Sequence, residues 1–436
     1  MWVDHTVWWS LYPLGFLGAE AEALPPGSAP VPRLAGLEPW LDYAIELGCS
    51  GIALGPVFAS ETHGYDTVDH LRVDPRLGTD EDFDKLVVAA HSRGLRLLLD
   101  GVFNHVGRGF PQFTQATADP AAARWFRWQD RPDGSRVPET FEGHDLLVAL
   151  NHAEPAVAEY VARVMGHWLA RGADGWRLDA AYAVPHAFWR DVLPQVRAQY
   201  PDAWFVGEYI HGDFPQAVRE GGLDSVTQYE LWKAIWSSLN DRNFFELSWT
   251  LDRHNDLLDS FTPLTFVGNH DVTRLATRLT DPRHFGHAVA ILLLVGGIPS
   301  VYAGDEQAFH GLKEDRVGGD EAIRPTFPAG PGSLAPSGWP AYRLHQRLIG
   351  LRRRNPWLVT ARTRVEHLSN GNLAPRSVPA DSSHSGLLLL LNIDDEPFRF
   401  AGAGRASTVV ADAEPGSESG EPLLLPPHSW RVLSDG

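Results

Sequence analysis

Short apolar runs of strand length recur along the chain, most of them closed by glycine or a polar residue. They read VWWSL from Val7, GIALG from Gly51, RLLLDG from Arg96, GWRLD from Gly175, WFVGE from Trp204, LDSVT from Leu223, LTFVGN from Leu264 and PSVYAG from Pro299. Runs that do not alternate apolar with polar residues predict parallel strands buried on both faces. Amphipathic stretches lie between them. The clearest is PAVAEYVARVMGHWLARG, where Val157, Tyr160, Val161, Val164, Trp168 and Leu169 recur at helical spacing, Pro155 suits the first turn and Gly172 the C-terminal cap. Strand and helix alternating in this way along the chain predict an α/β fold, a (β/α)8 barrel.

Two stretches break the rhythm. Between the third strand, ending near Asp100, and the fourth, beginning near Asp174, lies more chain than one helix needs, rich in turn residues such as DRPDGSRVPE. After RLHQRLIGLRRRNPW the pattern changes to short β-like segments, including GLLLLLNI and SWRVLS, separated by Pro, Gly and Ser. The expected division is a catalytic barrel from residues 1–101 and 152–356, a small domain inserted at 102–151 over the barrel mouth, and a C-terminal antiparallel β-sandwich at 357–436.

Composition narrows the partners rather than naming one. With 37 basic and 55 acidic residues the formal charge is -18, which disfavours nucleic acid and anionic membrane surfaces. Cys49 is the single cysteine, so no intrachain disulfide forms, and MWVDHTVWWS lacks the pattern of a signal peptide, which makes the cytoplasm the expected compartment. The longest apolar run, AVAILLLVGGIP, is too short to span a bilayer and reads as a buried helix followed by a strand. The 16 tryptophans are an oddity beside 2 methionines. Most are expected in packing, although indole faces also serve as platforms for sugars.

Catalytic groups of barrel enzymes sit at the C-terminal ends of the strands. Here the third strand ends in DGVFNH, with Asp100, Asn104 and His105; the fourth supplies Arg177 and Asp179; the fifth Glu208; the seventh FVGNHD, with His270 and Asp271. A lone strand-end carboxylate is more often a cap or an ion-pair partner. Several converging on one mouth repel one another, an arrangement that costs stability unless it is used. Residues two apart on a strand share a face, so Arg177 is expected to keep Asp179 ionised as a nucleophile. Glu208, desolvated beside that charge, is expected to have a raised pKa and to act as general acid. Such a pair performs retaining glycoside hydrolysis, with Asp271 stabilising positive charge in the transition state.

These residues resemble the α-amylase family, glycoside hydrolase family 13, most closely its α-glucosidase and cyclomaltodextrinase-like members. GIALGPVFAS, HGYDTVDHLRVDPRLGT, DGVFNHVG, GWRLDAAY, VGEYI, FVGNHDVTR and GIPSVYAGDE occur in the family's order, and LLVALNHAEP is similar to its short motif at the end of the inserted domain. The resemblance implies Asp179 as nucleophile, Glu208 as acid/base and Asp271 as stabiliser. It implies that Arg177 orients the nucleophile, that His105 and His270 hydrogen-bond the sugar being cleaved, that Tyr65 stacks on it and that Asp66 orders the site. Asp100 is read as a support for Arg177, and Asp305 and Glu306 as braces of the eighth strand end.

The departures from that family shape the expected substrate. Asn104 matches a ligand of the family's calcium site, but Ala183 stands where a histidine is used, and LGFLGAEAEALPPGSAPVP replaces an acidic metal loop. No metal or other cofactor is therefore expected to be essential. Tyr182 and Ala183 stand in place of a lysine–histidine pair that grips long chains, and Ala180 follows the nucleophile where cutters of α-1,6 bonds often have valine. A short or cyclic α-1,4-linked glucan is the expected substrate. A transglycosylase or glucoside isomerase of the trehalose synthase type would use the same site, and a non-catalytic carbohydrate-binding barrel is the remote alternative. A metal-dependent barrel hydrolase would want a His-x-His pair that VWWSL lacks. A homodimer that lends a loop to the mouth remains open, as does the choice between loops 15–36 and 310–335 as its cover.

Overall fold

The computed structural model describes residues 1–316, 318–380, 386–401, 406–413 and 421–435. Eight parallel strands form its centre: β1 (Trp8–Leu11), β2 (Gly51–Leu54), β3 (Arg96–Gly101), β4 (Gly175–Leu178), β5 (Trp204–Gly207), β6 (Ser225–Val226), β7 (Leu264–Phe266) and β8 (Ile298–Tyr302). They are ordered β6-β5-β4-β3-β2-β1-β8-β7, and one parallel bridge between Thr227 and Leu264 joins the two ends. The result is the expected barrel, closed at its weakest seam by a single bridge.

Helices α1 (Glu38–Leu47), α2 (Asp80–Ser92), α3 (Pro155–Ala170), α4 (His186–Arg197) and α5 (Phe214–Gly221) follow β1 to β5 in turn. The pair α6 (Tyr229–Asn240) and α7 (Phe245–Leu258) follows β6, α8 (Phe285–Leu294) follows β7, and α9 (Trp339–Arg354) follows β8. Local chemistry sets their ends. Thr79 and Asp82 form a reciprocal capping box that starts α2. Pro155 opens α3, and Gly172 at φ +101° follows its last turn, where a Cβ would meet Val87 at 2.6 Å. No described helix is long and apolar enough to cross a membrane.

Indoles fill the barrel. Trp8, Leu98, Trp204, Val206, Leu264 and Ile298 pack together inside it, with the Trp8 and Trp204 rings stacked 5.8 Å apart. Trp9, Trp40, Trp168, Trp176 and Trp189 are fully buried as well. These seven side chains are core and serve packing rather than as sugar platforms. The absence of a side chain at Gly175 makes room for the neighbouring strand, since a Cβ there would meet the Trp204 carbonyl oxygen at 2.3 Å.

Beyond β3, residues 102–151 form a short excursion. His105–Val106 pairs with Val148–Ala149, and Trp128–Asp130 with Arg136–Pro138, both antiparallel. After α9 come β9 (Arg362–Leu368), β10 (Asn372–Val378), β11 (Leu387–Asn392), β12 (Ala406–Asp412) and β13 (Ser429–Asp435), an antiparallel sheet of order β9-β10-β11-β13-β12. The run of leucines in β11 has two jobs. Leu387, Leu389 and Leu391 join the main core shared with the barrel, while Leu388 and Leu390 pack with Phe400 and Leu425 beneath a two-stranded ribbon, Phe398–Arg399 with Leu424–Leu425.

The loop between β2 and α2 is built around a buried ion pair. Arg76 and Asp74 side chains are 0% and 2% exposed and lie 2.7 Å apart. Arg76 also donates to Ser60 Oγ and to the carbonyls of Glu20 and Thr62, and Asp74 accepts from the Ser60 N–H and Oγ. Asp74→Ala would leave a buried guanidinium without its counter-charge. Chemical denaturation is expected to read a loss of about 3–5 kcal/mol, and a loss below about 1 kcal/mol would contradict this account of the loop.

Candidate active site

The register of the central strands assembles a charged layer above the apolar one. Leu98, Gly175 and Trp204 lie side by side on β3, β4 and β5; two residues further, Asp100 pairs with Arg177, and Arg177 with Val206. Just past the strand ends come Asp179 and Glu208. Alternation brings Asp100, Arg177, Asp179 and Glu208 to one face because the apolar layer below them already points inward.

One guanidinium holds three carboxylates. Arg177 Nη1 lies 2.8 Å from both oxygens of Asp100 and 2.8 Å from Asp179 Oδ1, and its Nη2 lies 2.7 Å from Glu208 Oε1. Asp179 and Glu208 therefore sit side by side at the two ends of one planar fork. Glu208 is fixed further by the Ala180 N–H, which donates to Oε2 at 3.0 Å, and by the Tyr229 hydroxyl, 3.3 Å from Oε1. Ala180 adopts φ 45°, ψ 36°, an unusual conformation for a residue with a Cβ. It turns the chain just after Asp179 so that its N–H faces Glu208.

Tyr65, from the loop after β2, donates to Asp100 Oδ2 at 3.1 Å and its hydroxyl meets His270 Nε2. His270 Nε2 lies 3.0 Å from Asp271 Oδ2. Asp66 is fully buried behind Tyr65, with Oδ2 accepting from Thr62 Oγ1 at 2.6 Å and Oδ1 without a partner among the described residues. His105 is 0% exposed, receives the Asn104 amide at Nδ1 and stacks on Phe141 with ring centroids 4.8 Å apart. Its Nε2 has no described partner, and burial lowers its pKa to about 3. A neutral imidazole with an unsatisfied buried nitrogen suits a ligand hydroxyl.

The electrostatics differ from the sequence expectation at Asp179. Burial pushes its carboxyl well above the ordinary range; Arg177 pulls it down, and Glu208, Asp100 and Asp271 push it up again. The sequence leads one to expect that Arg177 keeps Asp179 ionised; burial is the largest influence against that, and the guanidinium is also divided among three acids. Asp271 behaves oppositely. Against the cost of burial, His270 and Arg324 hold it well below the carboxylate range.

Arg324 was not legible as a site residue. It comes from the loop after β8, where RPTFPAG carries no strand-end signal, yet its Nη2 lies 2.8 Å from Asp271 Oδ1 and its Nε donates to the His270 carbonyl at 2.9 Å. Its guanidinium stacks 4.7 Å from the centre of the Tyr12 ring, which itself lies parallel to His270. The loops at 15–36 and 310–335 meet here, through Phe16 stacked 4.1 Å from Phe327 and the Phe327 N–H donating to the Phe16 carbonyl. Both therefore contribute to one wall. On the opposite side Tyr182 donates to Glu142 Oε1 at 2.6 Å, tying the loop after β4 to the excursion. Asp305 pairs with Arg274 at 3.0 Å, and Glu306 accepts from Tyr43 at 2.9 Å. A cavity of about 540 Å³ lies elsewhere, beside Asp252, Asn255 and Arg362 between α7 and β9, and shares no residue with this cluster.

The chain matches the family model for the alpha amylase catalytic domain over residues 12–329. It is 32% identical to the maltogenic alpha-amylase of Bacillus acidopullulyticus over 332 residues, and 33% identical to the cyclomaltodextrinase of Geobacillus thermopakistaniensis over 334 residues. In each case 70% of this chain and 56% of the relative are covered, so the match spans little more than half of those proteins. Among solved structures, the cyclic alpha-maltosyl-(1→6)-maltose hydrolase of Arthrobacter globiformis superposes with a TM-score of 0.81 over 100% of both chains, at 24% identity, a likeness of fold. Barrel, strand-end acids and sequence kinship agree, and the chain belongs to the alpha-amylase family.

Proposed function

We propose that this protein is a retaining α-glycoside hydrolase that cleaves short or cyclic α-1,4-linked glucans. The observation that carries the reading is the shared fork of Arg177, which sets Asp179 and Glu208 beside each other at adjoining strand ends. In the first step Asp179 attacks the anomeric carbon as the glycosidic C–O bond breaks, and Glu208 gives its proton to the departing oxygen. Oδ1 of Asp179 is held by Arg177, and Oδ2 has no hydrogen bond among the described residues, so Oδ2 is the attacking oxygen. In the second step Glu208, now a carboxylate, takes a proton from water; the water attacks the same carbon and releases Asp179. Two inversions give net retention.

Asp271, kept negative by His270 and Arg324, faces the positive charge that develops on the sugar. His105 and His270 bind the hydroxyls of that sugar, with Tyr65 against its face. Preference for short or cyclic chains is supported by Tyr182 and Ala183, which stand where a pair that grips long chains is used. The relatives named maltogenic amylase and cyclomaltodextrinase point the same way. Binding of the sugar must favour the carboxylate form of Asp179, against its raised pKa, before it attacks.

Proton NMR of fresh protein with maltose, maltotriose, a cyclodextrin, isomaltose, trehalose and sucrose is the test. An α-anomeric product is expected first, from cyclodextrin or maltotriose, with turnover falling by about 10⁴-fold or more in Asp179→Ala. An initial β-anomer contradicts retention, new glycosidic signals convert the reading to transfer or isomerisation, and a full panel left untouched rejects the substrate class.

Stability against pH gives a second check. The folded-state pKa of Asp179 is raised above its unfolded value of about 3.9, so its carboxyl favours the folded state most below that pH and the benefit is lost as pH rises. Asp179→Asn removes the titrating carboxyl and keeps the shape. Its melting temperature is expected to exceed the wild type at pH 7, with the gap closing toward pH 4. A variant less stable at pH 7 that gains on the wild type as pH falls would contradict the assigned direction.

A further inference from the structure

A second polar cluster lies where the barrel meets the C-terminal sheet. Asp281 and His284 stand at the entry to α8, and His428 immediately before β13. His284 Nε2 and His428 Nδ1 are 3.0 Å apart, and Asp281 Oδ2 lies 4.0 Å from the first and 3.9 Å from the second. The two imidazoles are nearly buried, their side chains 2% and 5% exposed, while Asp281 is 25% exposed. We propose that Asp281, His284 and His428 form a binding site for a zinc-class divalent cation that clips the C-terminal sheet to the barrel.

The geometry suits that ion. Zinc holds nitrogen ligands at about 2.0–2.1 Å in a tetrahedron, which separates ligand atoms by about 3.3 Å, and the three spacings here bracket that value. The outer contacts also fit. His428 Nε2 lies 2.7 Å from Asp395 Oδ1, so an N–H donated there leaves Nδ1 as a lone pair facing His284 and Asp281. A carboxylate behind a metal-binding imidazole is the usual arrangement for fixing its tautomer. The exposed side of Asp281 leaves the fourth position to water.

Two cations already touch the cluster. Arg283 forks onto Asp281, with Nη2 2.6 Å from Oδ2, and Arg242 lies 3.1 Å from Asp395 Oδ2. Nε and Nη2 of the Arg283 fork both reach Oδ2, at 3.1 and 2.6 Å, and Nε and the Arg283 N–H reach Oδ1, each at 3.0 Å, so a metal on Oδ2 takes the place of one arm of the fork. His428 sits at φ 49°, a conformation that few residues with a Cβ adopt, and it holds its ring in this position. One turn further along α8, His287 Nε2 hydrogen-bonds the carbonyls of Asn392 and Ser429, so the same helix end already anchors the sheet. Cys49 is buried and is the sole cysteine, which removes thiolate as a competing ligand.

The test is calorimetric titration of chelator-treated full-length protein with Zn²⁺, beside His428→Asn and Asp395→Asn, with a melting curve for each. Asparagine tolerates positive φ, so His428→Asn removes the ligand with little strain. The wild type is expected to bind about one equivalent at this site. His428→Asn should lose that equivalent, and Asp395→Asn should bind it about 10–100-fold more weakly. Zinc should raise the melting temperature of the wild type and leave His428→Asn unmoved. Calcium and magnesium, which prefer oxygen ligands, should do neither. Zinc bound equally by wild type and both variants, or no binding with superimposable melting curves, overturns the proposal and leaves a histidine–histidine hydrogen bond. If His428→Asn does not fold, the Asp395→Asn titration alone decides, since that residue touches the ion only through His428.

Discussion

Arg177 is the constraint on which the rest of the site depends. A barrel mouth that gathers Asp100, Asp179 and Glu208 would repel itself apart without a cation among them, and the fork of one guanidinium is what the strand register supplies. That arginine is fixed in turn by β3 and β4, where Arg177 lies directly beside Asp100. The apolar layer of Leu98, Trp8 and Trp204 beneath keeps the group out of bulk water. Polar geometry at the mouth is thus inherited from packing in the barrel interior.

The same constraint explains why the acids differ. One guanidinium cannot neutralise three buried carboxylates, so Asp179 is driven up while Asp271, which has its own arginine in Arg324, is driven down. Such an arrangement is costly for folding and useful for chemistry, since two carboxyls held side by side, one to attack and one to trade protons with the leaving group and water, are what a two-step displacement needs. The loops supply what the strands lack. Arg324 and Tyr12 stand on one side and Phe141 with Tyr182 on the other, all from segments whose ends are pinned by hydrogen bonds to the barrel or its excursion.

Much of this was legible in the sequence for a physical reason. Strands buried on both faces must be apolar throughout, so a polar residue at the end of such a run, as in GWRLD or WFVGE, stands out. The loop that carries Arg324 has no such background. RPTFPAG follows no period, and only tertiary contact brings Arg324 to Asp271. The push on Asp179 is not legible for a related reason: the Arg177–Asp179 pairing is local along β4, whereas its burial and the charges of Glu208 and Asp100 are set by neighbouring strands. Tryptophan is ambiguous on composition alone, and burial assigns Trp8, Trp9, Trp40, Trp168, Trp176, Trp189 and Trp204 to packing.

The central claim is that Asp179, set by Arg177 beside Glu208, becomes covalently glycosylated. Intact-mass and peptide analysis of Glu208→Gln treated with a 5-fluoro-α-glucosyl fluoride measures this directly, because the good leaving group needs no acid and the slowed second step lets the intermediate accumulate. The account predicts one fluoroglucosyl unit per chain, on the peptide that contains Asp179. Fluoride release with no adduct, or an adduct on any other residue, would contradict it.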